Sequence, residues 1–570
     1  KNLATAGGDC DLVNLIASSN TQDYYTDLVI EANNNITLDF GANLTIDSST
    51  LTLNNNQDWI ILDYNPQLTL QSTTITGNLD WLLANFTIYS GSSISSNLRG
   101  CPNSTSPDSN NVCENQGVGA VGYGEGMDDV SDGGGGGAYG GRGGRNGNNE
   151  NQGGLTYGDP LAPMFLGSGG GEGDSDGEGG TGGGAIKINV TDTFEHNGTI
   201  TSNGGAGDDS ETNNEAGGGG SGGSIWIYTD NLIGNGSFSA DGGQGAIDTG
   251  RDGGGGSGGR IAVYYNTISE IDISSSSVLG ATSQGDGKQG DPGTLGFIDI
   301  NDNGLMIYSG WEFQADANYT NLTVYDTLTR INASSVVINA STLFSEGDFN
   351  MTCVNTGYDI EFNFLADANF SNTTIKNLAT AGGDCDLVNL IASSNTLGDI
   401  KDFTIEANNN ITLNLGLDVI FNSAIITLNN NQDWILLTGQ ELTLLGTALS
   451  GNFDWELDNL TIYSGSSISA NSRGCPNSTS PNSNHVCENQ GTTAVGYGEG
   501  MDDVSDGGGG AGYGGRGGRN GNNENQGGYG YGDALAPMFL GSGGGEGDTD
   551  GEGGTGGGII RINVTDTFEH

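Results

Sequence analysis

The feature that most constrains this chain is a short recurrence of strand-like runs. STLTLNNNQDWIIL at 49–62 matches STTITGNLDWLLA at 72–84, which sets Trp59 and Trp81 22 residues apart. Further along, Trp434 and Trp455 stand 21 apart. Runs such as ITLDF, LTID, LTLQ and FTIY crowd the same region, each with an apolar residue at every second position. That alternation sends one side chain in two toward a core, which is β-strand patterning. The intervals leave no room for the crossover helix that a doubly wound sheet needs between its strands. The sequence therefore predicts an all-β chain, with short parallel strands stacked coil upon coil as a β-helix or β-solenoid.

A second, longer period follows. The runs AIKI, SIWI, RIAV and FIDI place Ile186, Ile225, Ile261 and Ile298 at spacings of 39, 36 and 37. Three of the four follow glycine runs, and NGTITSNGGAG at 197 matches NGSFSADGGQG at 235. Each coil here is expected to have two strands and a long glycine-rich loop excursion. Glycine is suited to this because it lets backbones approach closely. The most glycine-rich stretches, 117–184 and 491–558, read by composition alone as flexible linker. Their near-identical duplication favours ordered loops packed on the flank, partly in polyproline-II conformation.

Both periods lie inside a larger repeat. KNLATAGGDCDLVNLIASS opens at Lys1 and again at Lys376, an offset of 375. Residues 101–196 and 475–570 differ at 12 of 96 positions. Residues 1–375 form one complete unit, and 376–570 repeat its first half. Within the unit, 1–100 reads as short-coil β-helix and 101–184 as a disulfide loop with a glycine-rich acidic insertion. Residues 185–300 read as glycine-rich solenoid coils, and 301–375 as coils leading to the next unit. The stretch is expected to be a window onto a longer tandem array, the plainer alternative being a single duplication.

Charge excludes several functions. Asp and Glu total 70 against 15 Lys and Arg, giving a net charge of −55. Nucleic-acid and anionic-membrane binding need a basic face, which this chain lacks. No apolar run is long enough to span a bilayer as a helix.

Seven cysteines occur, and Cys10, Cys101 and Cys113 correspond to Cys385, Cys475 and Cys487. The simplest of three possible connectivities per unit pairs Cys101 with Cys113, Cys475 with Cys487, and Cys353 with Cys385. No Cys-x-x-Cys occurs, so zinc is not indicated. Asn-x-Ser/Thr sequons stand at Asn35, Asn43, Asn85, Asn103, Asn189, Asn197, Asn235, Asn318, Asn321, Asn332, Asn339, Asn350, Asn369, Asn372, Asn410, Asn459, Asn477 and Asn563. An Asn- and Thr-rich β protein makes some sequons by chance. Four recur across the units, however: Asn35 with Asn410, Asn85 with Asn459, Asn103 with Asn477, and Asn189 with Asn563. Covalent N-glycans in an extracellular setting account for sequons and cysteines together.

Two acidic glycine loops carry Glu125, Asp128, Asp129 and Asp132, and Glu172, Asp174, Asp176 and Glu178. Hard cations such as Ca²⁺ take oxygens from segments of this kind, although neither loop has EF-hand or calcium β-roll spacing. The alternative is a solvated acidic surface. His196, His485 and His570 are the only histidines. No nucleophile motif, P-loop or acid–base pair stands out, so no catalytic residue is expected.

GGGGSGGRIAVYYNTI, GGGGSGGSIWIYTDNLIGNGSFSADGGQG and NGTITSNGGAG resemble the glycine-rich β-helical surface proteins of microbes, of archaeal or protist type. The resemblance covers chiefly 182–300 and implies a secreted repeat protein with a structural or adhesive role. It carries no active residue. The expected function is a non-enzymatic segment of an extracellular glycoprotein fibre, partnered by neighbouring copies of the same repeat. A cell-surface adhesin stalk and a polysaccharide-active β-helix enzyme are the alternatives.

Overall fold

The structure is a computed structural model. It describes residues 15–16, 24–39, 43–54, 58–115, 124–128, 133–147, 153–173, 177–209, 215–247, 251–271, 273–283, 285–331, 335–353, 359–369, 373–377, 386–392, 399–407, 410–415, 418–429, 433–482, 486–488, 500, 508–521, 527–547 and 552–570. The chain is 45% strand. Among the described residues the helical content is one 3₁₀ turn, Ile273–Ser275. None of their helices is long and apolar enough to cross a membrane. The chain forms two compact units, Lys1–Glu312 and Phe313–His570. This division falls inside the 375-residue sequence unit, because spatial contact and sequence duplication are different partitions.

In the first unit two parallel sheets follow from the alternation. One stacks Val29–Ala32, Thr50–Leu53, Thr74–Thr76, Ser93–Ser95, Thr199–Thr201 and Ser237–Ser239. Along it Ile30, Leu51, Ile75, Ile94, Ile200 and Phe238 are successive register partners, all buried. The other stacks Ile36–Asp39, Trp59–Gln71, Asn78–Ile88, Ala185–His196, Ser224–Ile233, Arg260–Tyr265 and Thr294–Asp299. Its inward ladder is Leu38, Leu62, Trp81, Ile188, Ile227, Val263 and Phe297, again all buried. Parallel strands set these side chains about 4.8 Å apart. The chain turns between faces through single left-handed residues, Asp27, Ser48 and Ser72, at φ of 55°, 49° and 46°. Small polar residues tolerate that region best after glycine. At the same corner the buried hydroxyls of Ser49, Thr73 and Ser92 accept the N–H groups of Leu28, Ser49 and Thr73 at 2.9, 3.4 and 3.2 Å. They satisfy donors that the strands leave unpaired.

The second unit repeats the pattern. Leu413, Leu437, Trp455 and Ile562 are successive partners. Asp402 and Ser423 make the left-handed corners at 50° and 59°. Ahead of them Ala317–Ile331, Ser335–Cys353 and Asp359–Asn369 pair in parallel.

Two sequence alignments are corrected by register. Trp59 and Trp81 are not structural equivalents: Trp59 pairs with Asn78, whereas Trp81 pairs with Leu62 and is 2% exposed. The register advances 19 residues between these adjacent strands, from Ile60 to Leu79, so the 22-residue match puts the two indoles in different environments. Likewise Ile261 pairs with Leu295, and Ile298 pairs with Tyr264. Burial decides the choice: Leu295 and Phe297 continue the inward ladder, and the Trp311 ring lies over Gly296, 2.3 Å from where its Cβ would be.

Candidate functional site

Where the glycine excursions are described, backbone hydrogen bonds hold them together and explain why glycine is required. Along 217–223, Gly217, Gly220 and Gly223 donate to Asp208, Gly205 and Ser202. Gly218 and Ser221 donate to Gly171 and Ser168, and Gly219 and Gly222 to Gly254 and Ser257. Every third residue thus addresses the same neighbouring segment, and each segment has three neighbours. Along 253–259 the same rotation sends Gly253, Gly256 and Gly259 to Ala246, Gly243 and Ala240. Gly254 and Ser257 then go to Gly134 and Gly137, and Gly255 and Gly258 to Lys288 and Asp291. Three residues per turn is the period of polyproline II, whose backbone groups are free to bond outward. Here they bond to each other in three directions. The packing leaves no space for side chains: a Cβ on Gly218 would lie 1.9 Å from the Gly135 oxygen, and one on Gly217 2.1 Å from the Glu178 oxygen.

The bundle sits against the strand wall without breaking it. Asn78–Ile88 pairs directly with Ala185–His196, so the chain leaves after one strand and returns in register on the next. Asn78 Oδ1 accepts the Ala185 N–H at 2.9 Å at the point of return, and Asn452 accepts the Ile559 N–H at 3.0 Å in the second unit. A disulfide joins Cys101 to Cys113, and another joins Cys475 to Cys487. Cys353 lies in a strand whose side chains there are outside the described residues, as is Cys385 altogether.

Beside the antiparallel pair Ser106–Pro107 and Cys113–Glu114 the acidic residues are partly gathered. Glu125 is buried and accepts the Ser106 hydroxyl at 2.9 Å. Asp128 accepts the Ser104 hydroxyl at 2.5 Å and the Glu172 N–H at 2.9 Å. Glu172 accepts the Asn103 amide at 2.6 Å. Burial raises the Asp128 pKa against those bonds, and burial, then Asp128 and Glu178, raise that of Glu172. Asp129, Asp132, Asp174 and Asp176 lie outside the described residues. Among the described residues no three His, Cys, Asp or Glu groups converge as a metal site.

A second cluster carries no sequence motif. Arg260 and Glu312 form a fully buried ion pair at 2.7 Å. Arg260 also donates through Nε and a terminal nitrogen to the Tyr157 carbonyl at 3.0 and 2.8 Å. Its guanidinium lies 5.4 Å from the centre of the Tyr139 ring. Tyr139 and Ser224 share a hydrogen bond at 2.7 Å, and Tyr157 donates to the Leu166 carbonyl at 2.6 Å. Burial raises the pKa of both tyrosines. The cluster pins the bundle to the wall. Arg260 could have drawn notice only as a charge at the head of the strand RIAVYY.

His196 is a core residue. It is 0% exposed, lies between Phe194 and Phe238 at 5.4 and 4.7 Å, and its Nε2 is 3.2 Å from the Ser237 oxygen. Burial lowers its pKa from 6.5 to about 4. A lowered folded-state pKa means the unfolded chain binds the proton more tightly. The contribution is complete above the unfolded value and is lost as pH falls through that value toward the folded one. Stability should therefore drop by about 2 kcal/mol between about pH 7 and about pH 5 through this residue alone. Because carboxylates also titrate at the acid end, the measurement is the difference in unfolding free energy between the native chain and His196→Gln across that range. Parallel curves would refute it.

None of the sequon asparagines with described burial is buried; Asn332 and Asn372, and the side chains of Asn350 and Asn369, lie outside the described residues. Their roles differ. Asn35 and Asn410 accept the N–H groups of Trp59 and Trp434 at 2.7 and 2.8 Å, and Asn85 and Asn459 those of Thr193 and Thr567 at 3.4 and 3.1 Å. Those bonds use the amide oxygen and leave the nitrogen. Asn103 and Asn477 instead donate that nitrogen to Glu172 and Glu546, both at 2.6 Å. Asn197 uses both atoms, accepting from Asn235 N–H at 3.1 Å and donating to Glu195 at 3.1 Å. The side chains of Asn189 and Asn563 have no hydrogen-bond partner among the described residues.

Comparison with protein-family models, with curated proteins and with solved structures finds no match. What the chain does is argued from its own residues.

Proposed function

We propose that this chain is a non-enzymatic structural segment of an extracellular glycoprotein filament, built from tandem β-solenoid units. The observation that carries the reading is the ladder from Leu38 to Phe297, which continues from Trp81 directly to Ile188 although the glycine-rich stretch 117–184 lies between them in the chain. Such a stack forms its backbone hydrogen bonds along one axis, each coil templating the next, so the unit extends by repetition. The glycine bundle stiffens one flank with further backbone bonds. Two disulfides suit an oxidising compartment, and exposed or half-buried sequons suit N-glycans. Glycans and acidic loops keep the flanks from pairing laterally. The partners in this reading are neighbouring copies of the same repeat; no cofactor is needed, and Ca²⁺ at the Asp128–Glu172 loops would be an accessory. Electron microscopy of native material tests the reading. A uniform fibre whose axial period matches one sequence unit supports it, at about 4.8 Å per coil. Discrete particles, a stalk with a distinct tip, or cleavage of glycans by the purified chain would each overturn it.

A further inference from the structure

The outward face of the strand wall carries a row of side chains that lie outside the core. Leu82, Asn189, Tyr228 and Tyr264 are successive register partners on four adjacent strands. Ile188 and Val190 on either side of Asn189 are buried, so Asn189 points outward, and its row with it. Leu82 is 38% and Tyr228 43% exposed. The rings of Tyr228 and Tyr264 stack at 5.9 Å with planes 19° apart. Tyr264 is anchored through its hydroxyl to the Leu161 carbonyl at 2.7 Å, whereas the Tyr228 hydroxyl has no partner among the described residues. Two residues along each strand, Lys187 lies 5.6 Å from the centre of the Trp226 ring and 3.3 Å from Asp80.

We infer that an N-glycan on Asn189 lies down along this row, its first sugars seated on Tyr228 and Tyr264. The inference rests on the glycosylation reading above. The Asn189 amide is free to carry the glycan, and its direct cross-strand neighbour is an exposed aromatic ring about 4.8 Å away. Tyr264 follows at the same step, so the platform runs along the fibre direction rather than out into solvent. The weakly positive C–H face of a pyranose packs on the negative face of such a ring, and the apolar area leaves water in the process. Lys187 and Asp80 flank the row with a donor and an acceptor for sugar hydroxyls. A docked glycan would cover aromatic surface that otherwise invites contact between molecules.

The test uses the glycosylated chain from a secreting host. Glycopeptide mass spectrometry first reads occupancy at Asn189; an unmodified Asn189 overturns the glycosylation reading at this site and the docking with it. With Asn189 occupied, release of its glycan by an amidase under native conditions is timed against release from exposed Asn235. Tyr228→Ser should speed release from Asn189 by about fivefold or more and leave Asn235 unchanged. Tyr264→Phe keeps the ring, loses the hydroxyl with its bond to Leu161, and should release at the native rate. Equal rates for native and Tyr228→Ser chains at an occupied Asn189 refute the docking alone. So does a Tyr228→Ser variant that changes oligomeric state without changing release, which would make the row a contact between copies.

Discussion

Alanine at Gly144, within GGRGGRNGNNENQGG, is expected to destabilise the first unit by about 3 kcal/mol or more. At Gly144 a Cβ would lie 1.9 Å from the Lys288 oxygen, and the Gly144 N–H donates to Gly255 at 2.8 Å. The obstacle is backbone, itself held by the Lys288 N–H bond to the Arg145 carbonyl at 2.8 Å, so no side chain can swing away. Relief would require separating bonded segments of the bundle. Denaturant unfolding of the Gly144→Ala variant decides it, with limited proteolysis to locate the opened segment. A cost under about 1 kcal/mol would refute the packed-bundle explanation.

The second large effect is expected at the buried ion pair. Glu312→Gln should cost about 3–5 kcal/mol, because it leaves the Arg260 charge fully buried beside a neutral amide. The Tyr157 carbonyl and the Tyr139 ring stay in place but cannot neutralise a cation. Pairing the change with Arg260→Met removes the stranded charge. The double variant should be more stable than Glu312→Gln alone, though below the native chain, since the Tyr157 carbonyl loses its donors. Unfolding free energies of the four chains form a double-mutant cycle. A Glu312→Gln cost under about 1 kcal/mol would show that the pair is not desolvated as described.

How far the molecule is legible in its sequence varies element by element. Runs such as LTID and FTIY are strands with alternate burial, because side-chain alternation is a local property of extended backbone. The two strands after each glycine run are likewise present, as Ala185–His196 with Thr199–Thr201 and Ser224–Ile233 with Ser237–Ser239. Register is less legible. Matching Trp59 to Trp81 by sequence misplaces both, since coil length differs between faces and a shared tryptophan does not report which way it points. Pairing Ile261 with Leu295 rather than Ile298 turns on a ladder and on Trp311, neither of which a four-residue motif contains.

The sequence by itself determined the strand content, the absence of crossover helices and the need for glycine in the excursions. Each follows from short-range stereochemistry: side-chain alternation, loop length and the room a missing Cβ leaves. Only the tertiary structure decided that the glycine segments bond in threes. It alone packs Gly144 against the Lys288 carbonyl, buries Arg260 against Glu312 and leaves Asn189 facing an aromatic row. Those outcomes depend on segments far apart in the chain: Arg260 meets Tyr157 across 103 residues, and Ala185 meets Asn78 across 107. No local pattern specifies such contacts, because the partner is chosen by which strand the chain returns to.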